Sequence, residues 1–402
     1  MRRVWRRRAL AFLLLLAVLL PTGCWDLREV EELGLVMAFG IRLPDRGEGY
    51  EIWVQEANPG GGAQQIGAPG KEFPAPFHNH QGLGRTVFDA VRLLSRETPH
   101  RLFFSHNQVF IIGERLARQH GVGEVLDFLE RDPEFRRTVW ILVLRSRLMP
   151  RLFNTVNSLN QPLGQYLAGV LLHRHLSSTY APLRLGDFVQ YMNESGIDAF
   201  TAGVELKTPA QSQQQGMAQS TPQLPVPRLN QTAVFRRDRL AGWLDAAGGR
   251  GLLYVRGEAD SGIITLNYRG REVALEITNN QSSLRAELNK DRPRFIIDVQ
   301  VDCNVGESMA AVNLADVRVI NEIKELARQQ IRRDIARAIS RCQELGSDPF
   351  GFGRHLAAQH PAYWQQVENN WREGIFPAAE FIIQPQVKIR RLGLITQGFK
   401  AR

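Results

Sequence analysis

Two patterns of apolar and polar positions divide the chain. Residues 9–20 are apolar without a break, and no later apolar run is long enough to span a bilayer. Beyond residue 24 the pattern is that of folded elements. Residues 35–41 and 50–55 read as strands. Val87, Ala90, Val91 and Leu94 recur at helical spacing within 86–95. A short apolar strand at 108–112 is punctuated by Gly113 and followed by a helix. Another helix fits 123–131, and another strand fits 138–144. Further on, 232–235 and 240–244 flank a polar turn, as in a hairpin. Strands follow near 262–268, 272–278, 284–288 and 295–305. A long helix over about 317–345 places Ile320, Ile323, Ala327, Ile331, Ile335, Ala338 and Ile339 on one face. Its other face carries Glu325, Arg328, Gln329, Arg332 and Arg333, a solvated surface or a partner contact. A last strand fits 381–389. Strands and helices in this order predict an α+β protein of two to three small mixed α/β domains, built on sheets with packed helices. The stretch 207–228, KTPAQSQQQGMAQSTPQLPVPR, has no apolar period and reads as a linker between portions 24–206 and 229–402.

Charge sharpens the reading of the first 23 residues. Arg2, Arg3, Arg6, Arg7 and Arg8 precede the apolar run without an acidic residue, as in a secretory signal peptide over 1–23. Gly23-Cys24 then resembles a bacterial lipobox, which implies that Cys24 carries a diacylglyceryl group and becomes the first residue. Two or more acyl chains, at ~0.8 kcal/mol per buried CH₂, give stable anchoring where one chain holds only marginally. Removing five of the 50 basic residues leaves 45 against 41 acidic ones, so the net charge falls from +9 to +4. That is too little and too dispersed for a nucleic-acid partner. A hydrophobic content of 44% suffices for real cores.

Candidate chemistry is sparse. Cys303 lies on a strand face with Ile297, Val299, Val301 and Val305, and Cys342 lies on the stripe of the long helix. Both read first as buried thiols, with a disulfide between them as the other reading. His78-Asn79-His80 and His173-Arg174-His175 place imidazoles two apart, but without the cysteine or carboxylate partners of a zinc site. His106, between apolar strands, reads as a hydrogen-bonded structural histidine, with proton sensing as the sharper alternative. Gly351-Phe352-Gly353-Arg354 lacks the third glycine of a dinucleotide fingerprint and reads as a capped turn between helices. Tyr363, Trp364 and Trp371 step at helical spacing, as core aromatics do. Neither a nucleophile–base set nor a phosphate-binding loop appears, so no catalytic residue, metal ligand or cofactor is expected.

Longer stretches carry a specific likeness. The start CWDLREVEELGLVMAFGI, the segment TVFDAVRLLSRETPHRLFFSHNQVFIIGERLAR and GVGEVLDFLERDPEFRRT after it resemble the Ger(x)C family, the C subunits of spore germinant receptors. So do TAVFRRDRLAGWLD with GRGLLYV, and DPFGFGRHLAAQHPAYW with VKIRRLGL near the C-terminus. Where that family carries an acidic residue, Gly248-Gly249 precede Arg250-Gly251 and read as a loosened turn. The resemblance implies a fold of small α/β domains and a non-enzymatic subunit, lipid-anchored on the outer face of the spore inner membrane. It implies two integral membrane subunits as partners in nutrient-triggered germination. The alternatives are an extracytoplasmic solute-binding lipoprotein, which needs two similar lobes around a cleft, and a cell-wall enzyme. The lipobox makes a direct prediction. The mature chain should start at Cys24 with a diacylglyceryl mass increment, and Cys24→Ala should leave a precursor that retains 2–20. Intact mass and membrane fractionation check both.

Overall fold

A computed structural model describes Trp5 and residues 32–58, 75–155, 161–207, 225–289, 292–310 and 312–393. Fourteen strands among these residues form two sheets. The first contains β1 (Leu33–Arg42), β2 (Tyr50–Ala57), β3 (Phe77–Gly84), β4 (Arg101–Phe103), β5 (Val109–Gly113), β6 (Trp140–Leu144), β7 (Leu183–Arg184), β8 (Phe200–Lys207), β9 (Val226–Arg236) and β10 (Arg239–Leu244). Its order is β10-β9-β8-β6-β5-β1-β2-β3, with β4 pairing β1 and β7 pairing β6. The central strands β8, β6, β5 and β1 are parallel, and an antiparallel hairpin closes each side.

Both faces of that parallel centre are covered, which explains the unbroken apolar runs VFIIG and WILVL, in which every residue is buried. Phe39, Phe110, Ile112, Ile141 and Val143 point to one face. There they meet α1 (Val87–Leu94), α2 (Glu114–Gln119), α3 (Gly123–Arg131) and α6 (Leu185–Asn193). Ala38, Val109, Ile111, Trp140 and Leu142 point to the other. That face is closed by α4 (Met149–Phe153) and α5 (Leu163–Leu172). Helix α1 starts where Thr86 Oγ1 accepts the Asp89 amide at 3.1 Å while Asp89 accepts the Arg85 amide at 3.0 Å, a reciprocal cap.

The segment 207–228, expected to separate two domains, connects strands that pair with each other. β8 ends and β9 begins in the register Lys207↔Val226, and β9 and β10 extend the first sheet. Without them β8 would present an unpaired edge to solvent. The division between sheets comes later, at α7 (Ala246–Arg256). The second sheet has the order β11 (Gly262–Tyr268), β12 (Arg271–Asn289), β13 (Arg292–Ser308) and β14 (Glu380–Arg391). The strands expected at 272–278 and 284–288 are one strand, β12, with register shifts at Ala274/Leu275 and Ile277/Asn279. Arg269 at φ 52 and Gly270 at φ 79 make the two-residue turn from β11 into β12.

β13 and β14 are parallel, so a crossover must join them. It consists of α8 (Val317–Leu345), α9 (Phe352–Gln359) and α10 (Pro361–Val367). Asp316 caps α8 by accepting the Arg318 amide at 2.8 Å, and Gly346 ends it in the left-handed region at φ 60. Ile323, Ala327, Ile331, Ile335, Ala338 and Ile339 are buried, as the stripe predicts; Ile320 is only partly so. One apolar core runs from the first sheet through α7 and α8 to the second.

Gly248, Gly249 and Gly251 form no loose turn. They lie in α7, which Asp245 caps by accepting the Gly248 amide at 2.9 Å. A Cβ on Gly249 would come 2.5 Å from the Thr179 carbonyl, and one on Gly251 would overlap the Asp334 carbonyl of α8. The helix accepts the entropic cost of glycine because the backbones touch. Gly251→Ala should therefore destabilise by about 1–3 kcal/mol through overpacking. Gly169→Ala on α5, where nothing lies within 4 Å, should stabilise by about 0.5–1 kcal/mol. Paired urea denaturation checks the opposite signs.

Candidate functional site

The chemistry-bearing motifs of the sequence converge less on a catalytic centre than on a buried joint. Asp198 precedes β8, and Asp348 follows α8. The Asp198 amide donates to the Asp348 carbonyl at 2.8 Å, and the Asp348 amide returns a bond to Asp198 Oδ2 at 2.9 Å. Asp348 Oδ1 accepts from the amides of Gly351 and Phe352 at 3.0 and 3.2 Å. Its Oδ2 accepts from the Gly353 amide at 2.9 Å and from Trp371 Nε1 at 3.2 Å. Asp198 Oδ1 takes Arg372 Nε at 2.8 Å. Gly351 sits at φ 78, and a Cβ on Gly353 would meet Gly196 Cα and the rings of Trp364 and Trp371. The GFG motif is thus a nest for an internal carboxylate, as the capped-turn reading holds. Trp364 and Trp371 are buried, with ring centroids 5.5 Å apart, in agreement with a core role.

Burial pushes the Asp348 pKa up to about 7, with the Asp198 charge acting the same way against the pull of the donors. A carboxyl whose pKa rises on folding contributes most below its unfolded value near 3.8, and that contribution is lost as pH rises through about 7. Burial likewise raises the Cys303 thiol to about 12 and Cys342 well above its ordinary value. Both cysteines are free and buried, so the disulfide reading does not hold.

Cys24 lies outside the described residues. Of the histidine pairs, His80 faces an acidic partner: its Nε2 lies 2.8 Å from Glu56 Oε2, while His78 is exposed. The second imidazole on Glu56 is His100, whose Nδ1 lies 2.8 Å from Oε1. These hydrogen bonds, His80 first, hold the Glu56 carboxyl below its ordinary range. Sequence spacing could not have found His100 or Glu56, since their contact comes from the pairing of β1 with β2 and β4. His173 and His175 are exposed beyond the end of α5, with ring centroids 6.3 Å apart. Among the described residues no group of three or more His, Cys, Asp or Glu side chains could hold a metal ion. His106 differs from its expected structural role. It ends a 3₁₀ turn, exposed, with its ring 5.7 Å from that of Phe103.

Two surfaces among the described residues have the charge or shape for binding. The polar face of α8 is laced by local pairs, Arg328 to Glu325 at 2.8 Å and Arg333 to Gln330 at 2.7 Å. A groove of about 740 Å³ lies between α1 and α3, lined by Val87, Phe88, Phe128 and Pro133, with Tyr50 bonded to Glu124 at its floor. Phe88 is half exposed there. Among the described residues no helix is long and apolar enough to cross a membrane.

Comparison with known proteins places this architecture among the spore germination proteins. Residues 26–206 match the family described as spore germination protein N-terminal domain, and residues 230–393 match the family described as spore germination B3/GerAC like, C-terminal. The chain belongs to the Ger(x)C family of spore germination proteins. It is 25% identical to spore germination protein KC of Bacillus subtilis (strain 168), over 98% of each chain. It is 24% identical to spore germination protein B3 of the same organism, over 96% of this chain and 97% of that one. The crystal structure of the GerBC protein shares the fold with a TM-score of 0.57 at 19% identity, over 90% of this chain and 99% of that one.

The joint yields a test. Asp348→Asn puts an amide where four N–H donors converge and should cost about 1–3 kcal/mol. It should also flatten the fall in stability from about pH 4 to pH 7 that the native carboxyl imposes. Thermal melts across that range check it, and an unchanged pH slope would count against the raised pKa.

Proposed function

We propose that this protein is the lipid-anchored C subunit of a spore germinant receptor, and that it works by binding rather than by catalysis. The observation that carries the proposal is the match of both halves to spore germination families, in relatives of nearly the same length. Cys24 is the tether, and the ectodomain sits on the outer face of the spore inner membrane, against two integral membrane subunits. Confining the domain to a layer above the bilayer raises its local concentration, so a contact that is weak in solution becomes largely occupied.

The arrangement of polar groups supports a binding role. Buried carboxylates are committed to structural partners, Asp348 to a ring of donors, Asp198 to Arg372 and Glu56 to two imidazoles. The solute-binding alternative needs a pair of like lobes, whereas the two sheets here differ in strand number and order.

The exposed cations of α8 provide the experiment. Arg333→Glu changes an exposed residue bonded to Gln330, one turn away, so stability should shift by about 0.5 kcal/mol or less. If the α8 face is the contact, crosslinking in spores should capture less of the polytopic partners and germination should slow, with the protein still folded and membrane-bound. A chain that captures no polytopic partner, in spores that germinate normally without it, would overturn the subunit assignment.

A further inference from the structure

We infer that the edge of the first sheet where β1 enters is a membrane-docking surface, which seats on the headgroups of an anionic bilayer through Leu172, Leu176 and Ile263. The inference rests on the anchored-subunit reading above and adds to it the orientation of the ectodomain.

Chain length and topology carry the argument. Leu33, the first residue of β1, lies nine positions after Cys24, and an extended chain spans at most about 3.5 Å per residue. The start of β1 therefore lies within about 30 Å of the acyl chains. β1, β5 and β6 are parallel and in register through Ala38↔Val109 and Val109↔Trp140, so their N-terminal ends form one edge. β4 adds Arg101 opposite Leu33 at the same edge.

Helix α5 crosses one face of the sheet close to this edge. Gly164 in its first turn backs onto the Met37 carbonyl, and Arg174, just past its end, lies with its guanidinium 5.2 Å from the Trp140 ring centroid. Residues 172–177, LHRHLS, are all exposed. Leu172, the last residue of α5, is 57% exposed, and Leu176, the last of the 3₁₀ turn after it, is 61% exposed. Gly262 backs onto the Ser177 carbonyl at 3.1 Å from its would-be Cβ, which sets Ile263, 59% exposed, beside this run. Leu172 and Leu176 at the end of α5, with Ile263 of the neighbouring β11, thus form an exposed apolar set beside the edge nearest the tether. Basic groups accompany them: Arg174, Arg184 over the Trp140 ring, and Arg136 just before β6. Of the acids nearby, Glu134 is paired with Arg101 at 2.9 Å, and Asp187 lies close enough to act on the Arg184 charge. Apolar residues flanked by arginine match the chemistry of an anionic lipid interface, where such side chains sink roughly 5–10 Å into the headgroup boundary.

Topology also provides a control. Leu83, 54% exposed, pairs with Glu51, which pairs with Arg42 at the far end of β1. It stands on the opposite edge.

The test uses the full-length lipidated chain in vesicles of phosphatidylcholine and phosphatidylglycerol. Leu172→Cys, Leu176→Cys and, separately, Leu83→Cys are labelled with a fluorophore; Cys303 and Cys342 are buried and stay unlabelled. Quencher-bearing lipids should quench the label at 172 and 176 several-fold more than at 83. Replacing phosphatidylglycerol with phosphatidylcholine, or Arg174 with Glu, should weaken that difference. Equal, weak quenching at all three sites on a chain whose intact mass shows the diacylglyceryl group would overturn the docking surface and leave the anchor standing. A chain without that mass increment that does not hold to vesicles would overturn the anchor and the docking surface together. Labels shielded only when the polytopic subunits are reconstituted alongside would assign the edge to protein, and likewise overturn the proposal.

Discussion

The fold turns on the reciprocal bond between Asp198 and Asp348. Each residue donates its amide to the other, so two segments 150 positions apart are held in one register. From that pair the joint spreads outward. Asp348 gathers the Gly351–Gly353 amides and the Trp371 indole, and Asp198 takes the Arg372 guanidinium in an ion pair with the carboxylate almost fully buried. Removing one partner from such a set leaves an uncompensated buried charge, which is why the residues work as a unit. The joint fixes the end of α8 against the start of β8, and through it the second sheet against the first.

Close backbone contact completes that attachment. α7 lies between the sheets and has glycine wherever a neighbouring carbonyl touches it, Thr179 at Gly249 and Asp334 at Gly251. Asp334 interrupts the apolar stripe of α8 and is answered by Arg250 at 3.4 Å and by Gln330 at 2.8 Å. Its pKa is raised, chiefly by burial. A continuous core and a polar joint at its margin make the two sheets one platform.

Much of the architecture was legible in the linear pattern. The stripe of α8, the strands β5 and β6 and the helices α1 and α3 follow from periodicity, because burial on one or two faces imposes a period that polar substitutions would break. The core role of Trp364 and Trp371, and the turn at Gly351, were legible for similar local reasons. The Ger(x)C likeness came from longer stretches, and the matches of both halves agree with it.

What only the tertiary structure decided were the pairings over long distances in the chain. The polar composition of 207–228 suggested a boundary, yet the strands on either side pair, since a free β8 edge is worse than a long hairpin. Gly248 and Gly249 looked like a loose turn because composition does not reveal a touching carbonyl. His80 was a candidate ligand by spacing to His78, but its partner is Glu56, shared with His100, which strand pairing alone brings near. Local sequence records what each segment must bury. It does not record which distant segment supplies the other half of a hydrogen bond, because that choice is made by packing geometry once the whole core has closed.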